Sequence, residues 1–398
     1  MILLLLALPA YAATYAGESN TIVQARTDAA GTPYVAGWEN LWFEGGAPAL
    51  RYEAYGTANF PSGFDQPAAW ELFVLSVDGE QESFNWTLGR QRLNLPSAGW
   101  MLDGGRFAWT PSHAVTVEAW AGQAEHVGLG SWLDGVPVAR LDATVMAGPV
   151  RATFGALGEF GETAAVHPDL QLKVADEKSK FQPRADLLLD GGVDTDGNLA
   201  LEKGRVALSA RPIAGTKLML WGEHREALNQ TSAMAPLILA TLDPLGYDEV
   251  GAGFGWSAAN TSRLWVEGSA QSFATDAADP EYREVGWSGK AMWLPRCKAQ
   301  SWCLTPSWNA ASGPGGAYHA VTADVTVPLP SVVQGHLIGT LAPYHAAHED
   351  WDTLVALGAT ASVAPTKKIT GTLGLEVAHD ALHDVDPRAW LQVRVGVP

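Results

Sequence analysis

Charged side chains recur at every second position in many short segments of this 398-residue chain. In residues 48–58, for example, Arg51 and Glu53 alternate with Tyr52 and Ala54. Opposite charges on one side of a sheet can create a field that selects polar solutes, or they can form cross-strand salt bridges that hold a wall rigid. The sequence favours neither interpretation, and both can hold. The basic members of the set are Arg51, Arg140, Arg151, Lys217, Arg263, Lys368 and Arg394, and the acidic members are Glu53, Glu118, Asp142, Glu159, Glu223, Glu267, Asp324 and Glu376.

Histidines are concentrated beside acidic residues in two connecting segments near the C-terminal end. His345 and His348 lie in the first segment, and His379 and His383 lie in the second. Imidazole together with carboxylate suits zinc, copper or nickel, so a metal site is one interpretation. Two solvated loops that carry histidine by chance are the favoured interpretation, and the sequence leaves metal binding by these four residues open.

Signatures of enzymatic chemistry are missing from the sequence. It contains no G-x-S-x-G elbow, no HExxH helix and no P-loop. Gly251, Gly253 and Gly255 lie inside a predicted strand with no helix after it, so they indicate small residues on one face of a sheet rather than a nucleotide site. We therefore expect neither enzymatic activity nor a cofactor.

The N-terminal residues have the character of an export signal. An apolar run from Ile2 to Leu8 precedes Ala10-Tyr11-Ala12, so residues 1–12 are predicted to be a signal peptide that is cleaved after Ala12. The rest, residues 13–398, has no linker and is expected to form one domain. The net charge of −18 argues against nucleic acid as a partner. In an oxidising compartment Cys297 and Cys303, six residues apart, are expected to form a disulfide.

Strands with a period of two are the elements that must position the charged residues. In residues 367–378, Leu373 and Leu375 point one way while Thr372 and Glu376 point the other. Twenty-two such segments follow one another, and short connections alternate with longer ones. This pattern predicts an all-β fold, a transmembrane up-and-down antiparallel β-barrel of about 18–22 strands with both chain ends on the periplasmic side.

Tryptophans are frequent, with 17 in the chain, and many lie near the ends of predicted strands. Amphipathic rings favour the headgroup level of a membrane, so two aromatic girdles are expected. A soluble β-protein with these rings in its core is the alternative. The predicted girdle residues are Trp38, Trp42, Trp70, Trp109, Trp120, Trp256, Trp293, Trp351 and Trp390.

Residues 86–109 resemble a motif of Gram-negative outer-membrane porins, including alginate-export-type barrels. Gly89-Arg90-Gln91 ends one strand and Asp103-Gly104-Gly105-Arg106 opens the next, similar to the family's Gly-Arg-Gln and Asp-Gly-x-Arg arrangement. The resemblance implies a barrel that a hydrophilic solute crosses. It also implies that Arg90, Arg92 and Arg106 lie inside the pore. The C-terminal sequence Val395-Gly396-Val397-Pro398 departs from the aromatic residue that usually ends such barrels.

Together these observations predict a porin of the cell outer membrane, through which small hydrophilic or charged solutes diffuse along a lumen of mixed charge. Two alternatives are an exporter of an acidic polysaccharide and a secreted all-β carbohydrate-binding protein. The expected partners are outer-membrane lipid, lipopolysaccharide and small solutes or ions, and the sequence leaves monomer and homotrimer open. The residues predicted to line the pore are Arg51, Glu53, Arg90, Arg92, Arg106, Glu118, Arg140, Asp142, Arg151, Arg263, Glu267, Asp324, Glu376 and Arg394.

Overall fold

The computed structural model of the chain is built from strands. It describes residues 14–27, 32–47, 50–62, 69–94, 99–125, 135–161, 164–193, 199–226, 246–258, 262–274, 283–297, 301–314, 316–330, 333–346, 350–380 and 383–397. The predicted signal peptide lies outside these residues. Among them, no helix is long and apolar enough to cross a membrane. The strands are β1 (Thr14–Thr27), β2 (Pro33–Ala47), β3 (Leu50–Ser62), β4 (Ala69–Gln81), β5 (Phe84–Asn94), β6 (Gly99–Ser112), β7 (Val115–Glu125), β8 (Val136–Ala147), β9 (Val150–Phe160), β10 (Ala164–Ala175), β11 (Arg184–Val193), β12 (Leu199–Ala210), β13 (Thr216–Arg225), β14 (Tyr247–Ser257), β15 (Ser262–Ala274), β16 (Arg283–Pro295), β17 (Cys303–Gly313), β18 (Gly316–Val327), β19 (Val333–Ala346), β20 (Asp352–Thr366), β21 (Ile369–Asp380) and β22 (His383–Val397).

The strands close into one antiparallel barrel. Each strand pairs with its neighbours in the chain, and β1 pairs with β22 to complete the wall. The predicted fold class is confirmed, and the 22 strands lie at the upper limit of the expected 18–22. Short turns at 82–83, 113–114, 148–149 and 367–368 lie at the barrel end that also holds both chain ends. The connections 176–183 and 296–302 at this end are longer than these turns.

The wall has an apolar outer face and a polar lumenal face. Leu373, Leu391 and Val23 are cross-strand partners, and between 41% and 51% of each is exposed, as a surface that meets lipid requires. One position further along the strands, Gln392 donates a hydrogen bond to Asn20 across the β1–β22 seam, with 2.9 Å between nitrogen and oxygen. Because side chains alternate in a strand, the register assigns every strand residue to one face.

The aromatic girdles contain fewer tryptophans than predicted. Trp38, Trp42, Trp120 and Trp390 face the lumen, because their partners across the sheet are the lumenal residues Ile22, Glu18, Arg140 and Gln24. For these four the prediction was wrong, since nearness to a strand end does not determine the face. Trp109, Trp256 and Trp293 are on the outer face and more than a third exposed. The side chain of Trp70 lies outside the described residues.

Candidate pore lining

A continuous row of cross-strand partners brings the predicted pore residues of the first half of the chain onto one lumenal band. Arg51 is opposite Asp78, Thr87 is opposite Arg106, and Trp120 is opposite Arg140. The row continues from Arg140 through Leu157 to His167 on β10. Strands that follow one another in the chain thus place basic, acidic and aromatic side chains side by side on the inner wall.

Twelve of the fourteen predicted pore residues share this lumenal face. By register they are Arg51, Glu53, Arg106, Glu118, Arg140, Asp142, Arg151, Arg263, Glu267, Asp324, Glu376 and Arg394. Arg90 and Arg92 instead alternate in phase with Leu88, an outer-face residue that is 46% exposed. The structure therefore does not bring Arg90 and Arg92 together with Arg106.

Several lumenal charges are paired across strands. A nitrogen of Arg106 lies 2.6 Å from a carboxylate oxygen of Glu118, and a nitrogen of Arg388 lies 3.1 Å from an oxygen of Glu376. Asp324 lies 3.0 Å from His336, and Arg394 lies 2.5 Å from Glu18. Cross-strand pairs of this kind stabilise a sheet modestly, because the exposed ones are screened by water.

Three lumenal arginines are exposed near the short-turn end of the barrel. Arg51, Arg151 and Arg263 are exposed and lie within the first two residues of β3, β9 and β15, beside the short-turn end. Among the described residues, no acidic side chain forms an ion pair with any of them. They leave positive charge available to solutes at this end of the lumen.

Reciprocal hydrogen bonds between aromatic and acidic side chains join β13 to β14. The Trp221 indole N–H donates to Glu249 across the strands, and the Tyr247 hydroxyl donates to Glu223, each over 3.0 Å. The Trp221 ring lies against Gly251, whose missing Cβ leaves the room. Gly251, Gly253 and Gly255 lie on one lumenal face, as their spacing in a strand predicted, and the Trp221 and Trp265 rings pack over them. The aromatic partners had no sequence signal.

A buried polar network occupies the lumenal face of β8–β12. Arg140 Nη2 lies 2.6 Å from both Asp142 Oδ1 and Asp169 Oδ2, and the Asp169 side chain is fully buried. His167 lies 3.2 Å from the nearest carboxylate oxygen of Glu159 and of Glu202. His167 and Asp169 were not predicted as site residues, although both alternate with apolar residues in β10.

The porin-like motif forms one structural unit across β5 and β6. Gly89 is opposite Gly104, and Arg90 is opposite Asp103 with 3.7 Å between guanidinium and carboxylate. The side chains of this pair are only 4% and 6% exposed. Gly89 has a φ of 115°, a conformation that side-chain-bearing residues rarely adopt. Arg90 is therefore part of a buried ion pair in a distorted part of the wall.

A small apolar cluster lies on the lumenal face beside this unit. Leu102 has no exposed surface, and Trp120, Ala124, Val138 and Leu157 pack with it at 2–5% exposure. Side chains on the inner face of an open, water-filled barrel would contact water. These five side chains are therefore covered and do not contact lumenal water.

The histidines and cysteines occupy the ends of strands. His345 packs against Trp351 with ring centroids 4.4 Å apart, and His348 and the His383 side chain lie outside the described residues. No group of three or more His, Cys, Asp or Glu residues in the described part of the chain is placed to hold a metal ion. Cys297 and Cys303 have Cα atoms 5.5 Å apart with their sulfurs in contact, a separation that a disulfide requires.

Comparison with solved structures identifies the same architecture in outer-membrane barrels. The siderophore receptor PirA from Pseudomonas aeruginosa matches with a TM-score of 0.61 at 10% identity, covering 96% of this chain and 80% of that chain. The translocation pore of the P pilus usher PapC matches with a TM-score of 0.56 at 9% identity, covering 96% of this chain and 99% of that chain. No family model and no curated protein matches the sequence. At such low identity the likeness establishes the fold.

Proposed function

We propose that the chain is an outer-membrane channel through which small hydrophilic or charged solutes diffuse passively. One observation carries the proposal: a closed 22-strand wall presents apolar residues outward and ion-paired polar residues inward. Such a wall satisfies its backbone hydrogen bonds in lipid while it keeps the interior wet. The translocation-pore activity of the similar PapC barrel supports the same function.

A barrel of this width needs a constriction if it is to admit only small solutes. Twenty-two strands about 4.8 Å apart and tilted about 40° form a wall roughly 40 Å across. This exceeds the bore of the porins with 16–18 strands. We propose that the narrow region lies beside β6–β9, where the lumenal cluster around Leu102 is buried. The connecting segments 126–134 and 227–245 lie outside the described residues.

Solute selection in this proposal depends on residues that keep an accessible charge. Arg51, Arg151 and Arg263 attract anionic groups at the short-turn end. Of the other nine lumenal members of the predicted set, seven lie beside a side chain of opposite type, and Glu53 and Glu267 accept hydrogen bonds from Trp42 and Trp265. Arg90 and Arg92 are given a structural role, because they share the face of Leu88 and Arg90 is buried with Asp103. No cofactor or covalent step enters this mechanism.

The same proposal includes the lipid contacts, the export signal and the disulfide of the channel. The outer face contacts membrane lipid and lipopolysaccharide, residues 1–12 direct export, and Cys297 and Cys303 are joined in the mature protein. Intact mass of the protein purified from membranes tests the last two points, since cleavage after Ala12 and disulfide formation each change the mass by a known amount. Native mass spectrometry in detergent distinguishes a monomer from a homotrimer.

Single-channel recording tests the function itself. We expect refolded residues 13–398 in a planar bilayer to give stepwise current under a KCl gradient. The matched control is the Leu373→Arg variant, which carries a charge on the lipid face and should insert poorly. Silence from wild-type protein whose insertion is demonstrated by protease protection would refute an open channel.

A further inference from the structure

A cavity of about 210 Å³ lies at the short-turn end of the barrel. Its lining comes from β3, β4 and β5, close to the turn at 82–83. The volume is below the roughly 300–1,000 Å³ of sites for drug-sized ligands, so it suits a molecule about the size of one amino acid. The lining residues are Arg51, Asp78, Gly79, Glu80, Asn85, Trp86 and Thr87.

Five polar side chains of this lining share the lumenal face. Arg51 on β3 is opposite Asp78 on β4, which in turn is opposite Thr87 on β5. Two positions nearer the turn, Glu80 is opposite Asn85. Because side chains alternate in a strand, residues two positions apart are on the same face. The register therefore places one guanidinium, two carboxylates, one amide and one hydroxyl around the cavity.

None of these five polar side chains forms a hydrogen bond or an ion pair with another residue that the structure describes. Arg51 and Asp78 carry opposite charges on neighbouring strands, and yet within the described chain no ion pair joins them. The next cation in the same row, Arg106, is paired with Glu118. The donors and acceptors that line the cavity are therefore available to a solute.

The cavity is accessible from the lumen. Arg51, Glu80 and Asn85 are exposed, whereas Asp78 and Thr87 are partly buried. A solute therefore meets the exposed side chains first and reaches Asp78 without displacing the wall. Partial burial strengthens the attraction between Asp78 and a cationic group, because less water screens the charges.

The mixture of charges distinguishes between kinds of solute. A guanidinium binds a carboxylate through paired hydrogen bonds, and a carboxylate accepts hydrogen bonds from an ammonium group. A simple anion would meet Arg51 but also the carboxylates of Asp78 and Glu80, and a simple cation would meet the reverse. A calcium or zinc ion needs several ligands around one point, and no group of three or more acidic, histidine or cysteine residues in the described ranges provides them. A zwitterion satisfies both signs of charge.

We propose that this cavity binds a zwitterionic solute about the size of one amino acid, with the carboxylate of the solute on Arg51 and its ammonium group on Asp78. Direct cross-strand partners have Cβ atoms about 4.5–5.5 Å apart, so the solute must carry its two charges close together, as an α-amino acid does. Glu80 offers a second acceptor to the ammonium group, and Asn85 and Thr87 offer further polar contacts. Entry from the lumen rests on the channel proposed above, whereas binding to the refolded barrel does not require conduction.

Saturation-transfer NMR on refolded residues 13–398 in detergent tests the site, with L-alanine as the probe. Propionate lacks the ammonium group of alanine and ethylamine lacks its carboxylate, so the two are matched fragments. We expect alanine to bind at least about tenfold more tightly than either fragment, because each fragment loses a charge-assisted hydrogen bond. Propionate that binds as tightly as alanine would indicate a plain anion site, and ethylamine that does so would indicate a plain cation site. Either result, or no alanine binding by folded barrel, refutes the proposal.

Charge-neutralising variants should give a crossed pattern. Arg51→Gln should weaken alanine and propionate at least about tenfold and leave ethylamine unchanged, whereas Asp78→Asn should weaken alanine and ethylamine and leave propionate unchanged. A merely structural role would lower the folded fraction on heat-modifiable gels without this pattern. Unchanged alanine affinity in both folded variants would overturn the proposal.

Controls and a milder variant complete the test. Arg184→Gln and Asp186→Asn are the matched controls, because both residues are exposed at the same barrel end and lie outside the cavity lining. If Arg51→Gln or Asp78→Asn fails to fold, Asn85→Ala replaces it, since Asn85 is exposed. We expect Asn85→Ala to bind alanine about twofold to tenfold more weakly, the loss of one neutral hydrogen bond. Wild-type affinity in Asn85→Ala together with equal binding of the fragments would refute the site.

The bilayer experiment separates this proposal from the channel. If wild-type protein conducts but does not bind alanine in detergent, the zwitterion site is refuted and the channel stands. If inserted protein is silent but binds alanine in detergent through Arg51 and Asp78, the channel is refuted and the site stands. Conduction together with alanine binding that Arg51→Gln and Asp78→Asn weaken supports both.

Discussion

The guanidinium of Arg140 lies over Gly155, in the space that a Cβ of Gly155 would fill. A Cβ at position 155 would also come within 2.6 Å of Asp169 Oδ2. Gly155 is the cross-strand neighbour of both Asp142 and Asp169, so the glycine lets one arginine reach two carboxylates across three strands. This contact suggests a direct test of whether the network stabilises the wall.

Gly155→Ala should lower the free energy of unfolding by about 2–3 kcal/mol, because displacing Arg140 leaves buried carboxylates uncompensated. Urea unfolding of the barrel in lipid vesicles, followed by tryptophan fluorescence, measures the change. Gly358→Ala is the control, since a Cβ there meets its nearest atom at an ordinary 3.5 Å. A similar effect of both variants would mean that the Arg140 network contributes nothing beyond what any glycine in the wall does.

Arg106 and Arg90 belong to the same sequence motif but should respond differently to charge reversal. Arg106 is 45% exposed and pairs with Glu118, so Arg106→Glu should shift the reversal potential toward cation selectivity with little loss of folded protein. Arg90 is buried opposite Asp103, so Arg90→Glu should place two carboxylates together and reduce the yield of folded barrel.

Heat-modifiable migration on gels measures the folded fraction, and recording under a KCl gradient measures selectivity. An Arg90→Glu barrel that folds fully and changes its reversal potential would place Arg90 in the pore after all. An Arg106→Glu barrel with wild-type selectivity would remove Arg106 from the solute path.

The contrast between these arginines shows which features the sequence could predict. The period of two in segments such as 367–378 determines the face of each residue, and the repetition of such segments predicts a barrel, because only a closed sheet leaves no unpaired edge in lipid. Strand number and most turns follow from the same pattern. Leu373 was correctly predicted to be on the outer face.

The alternation did not predict which residues are buried, or which face of the wall each residue of the porin-like motif occupies. Arg90 and Arg106 both look like polar positions, and their opposite faces follow from a register that pairs Gly89 with Gly104. Asp190 is 6% exposed between Asp169 on β10 and Lys203 on β12, neighbours that local sequence does not specify. Trp221 and Glu249 are 28 positions apart, so their hydrogen bond had no local signal.

Leu373→Arg should hinder insertion into bilayers, because Leu373 is 51% exposed on the outer face between Leu391 and Ala361. An arginine near the bilayer midplane costs about 2–4 kcal/mol. Thr372→Arg is the control, since Thr372 is on the lumenal face of the same strand. Insertion kinetics into vesicles compare the two, and equal insertion would mean that the register of β21 is wrong.

Glu39 is a carboxylate on the outer face, in the strand segment that leads to Leu41. The Ser19 hydroxyl donates to Glu39 Oε1 over 2.5 Å, and the Thr21 hydroxyl donates to Oε2. Glu39→Leu should raise the free energy of unfolding in vesicles by about 1 kcal/mol, because an acid on a lipid face costs somewhat less than an arginine there.

Glu53→Leu should have the opposite sign, since Glu53 is lumenal and accepts a hydrogen bond from Trp42. Urea midpoints of the two variants provide the comparison. Destabilisation by Glu39→Leu would show that this part of the outer face contacts protein rather than lipid.

Replacing residues 126–134 by a three-residue Gly-Ser-Gly connection tests where the lumen is narrow. The segment joins β7 to β8, beside Ala124 and Val138 in the buried lumenal cluster. If this side of the barrel carries the constriction, single-channel conductance should rise severalfold, because conductance grows with the open cross-section. An equivalent replacement of residues 275–282 is the control, since that segment joins β15 to β16 on another part of the rim. Wild-type conductance after the first replacement, with an unchanged urea midpoint, would move the constriction away from β6–β9.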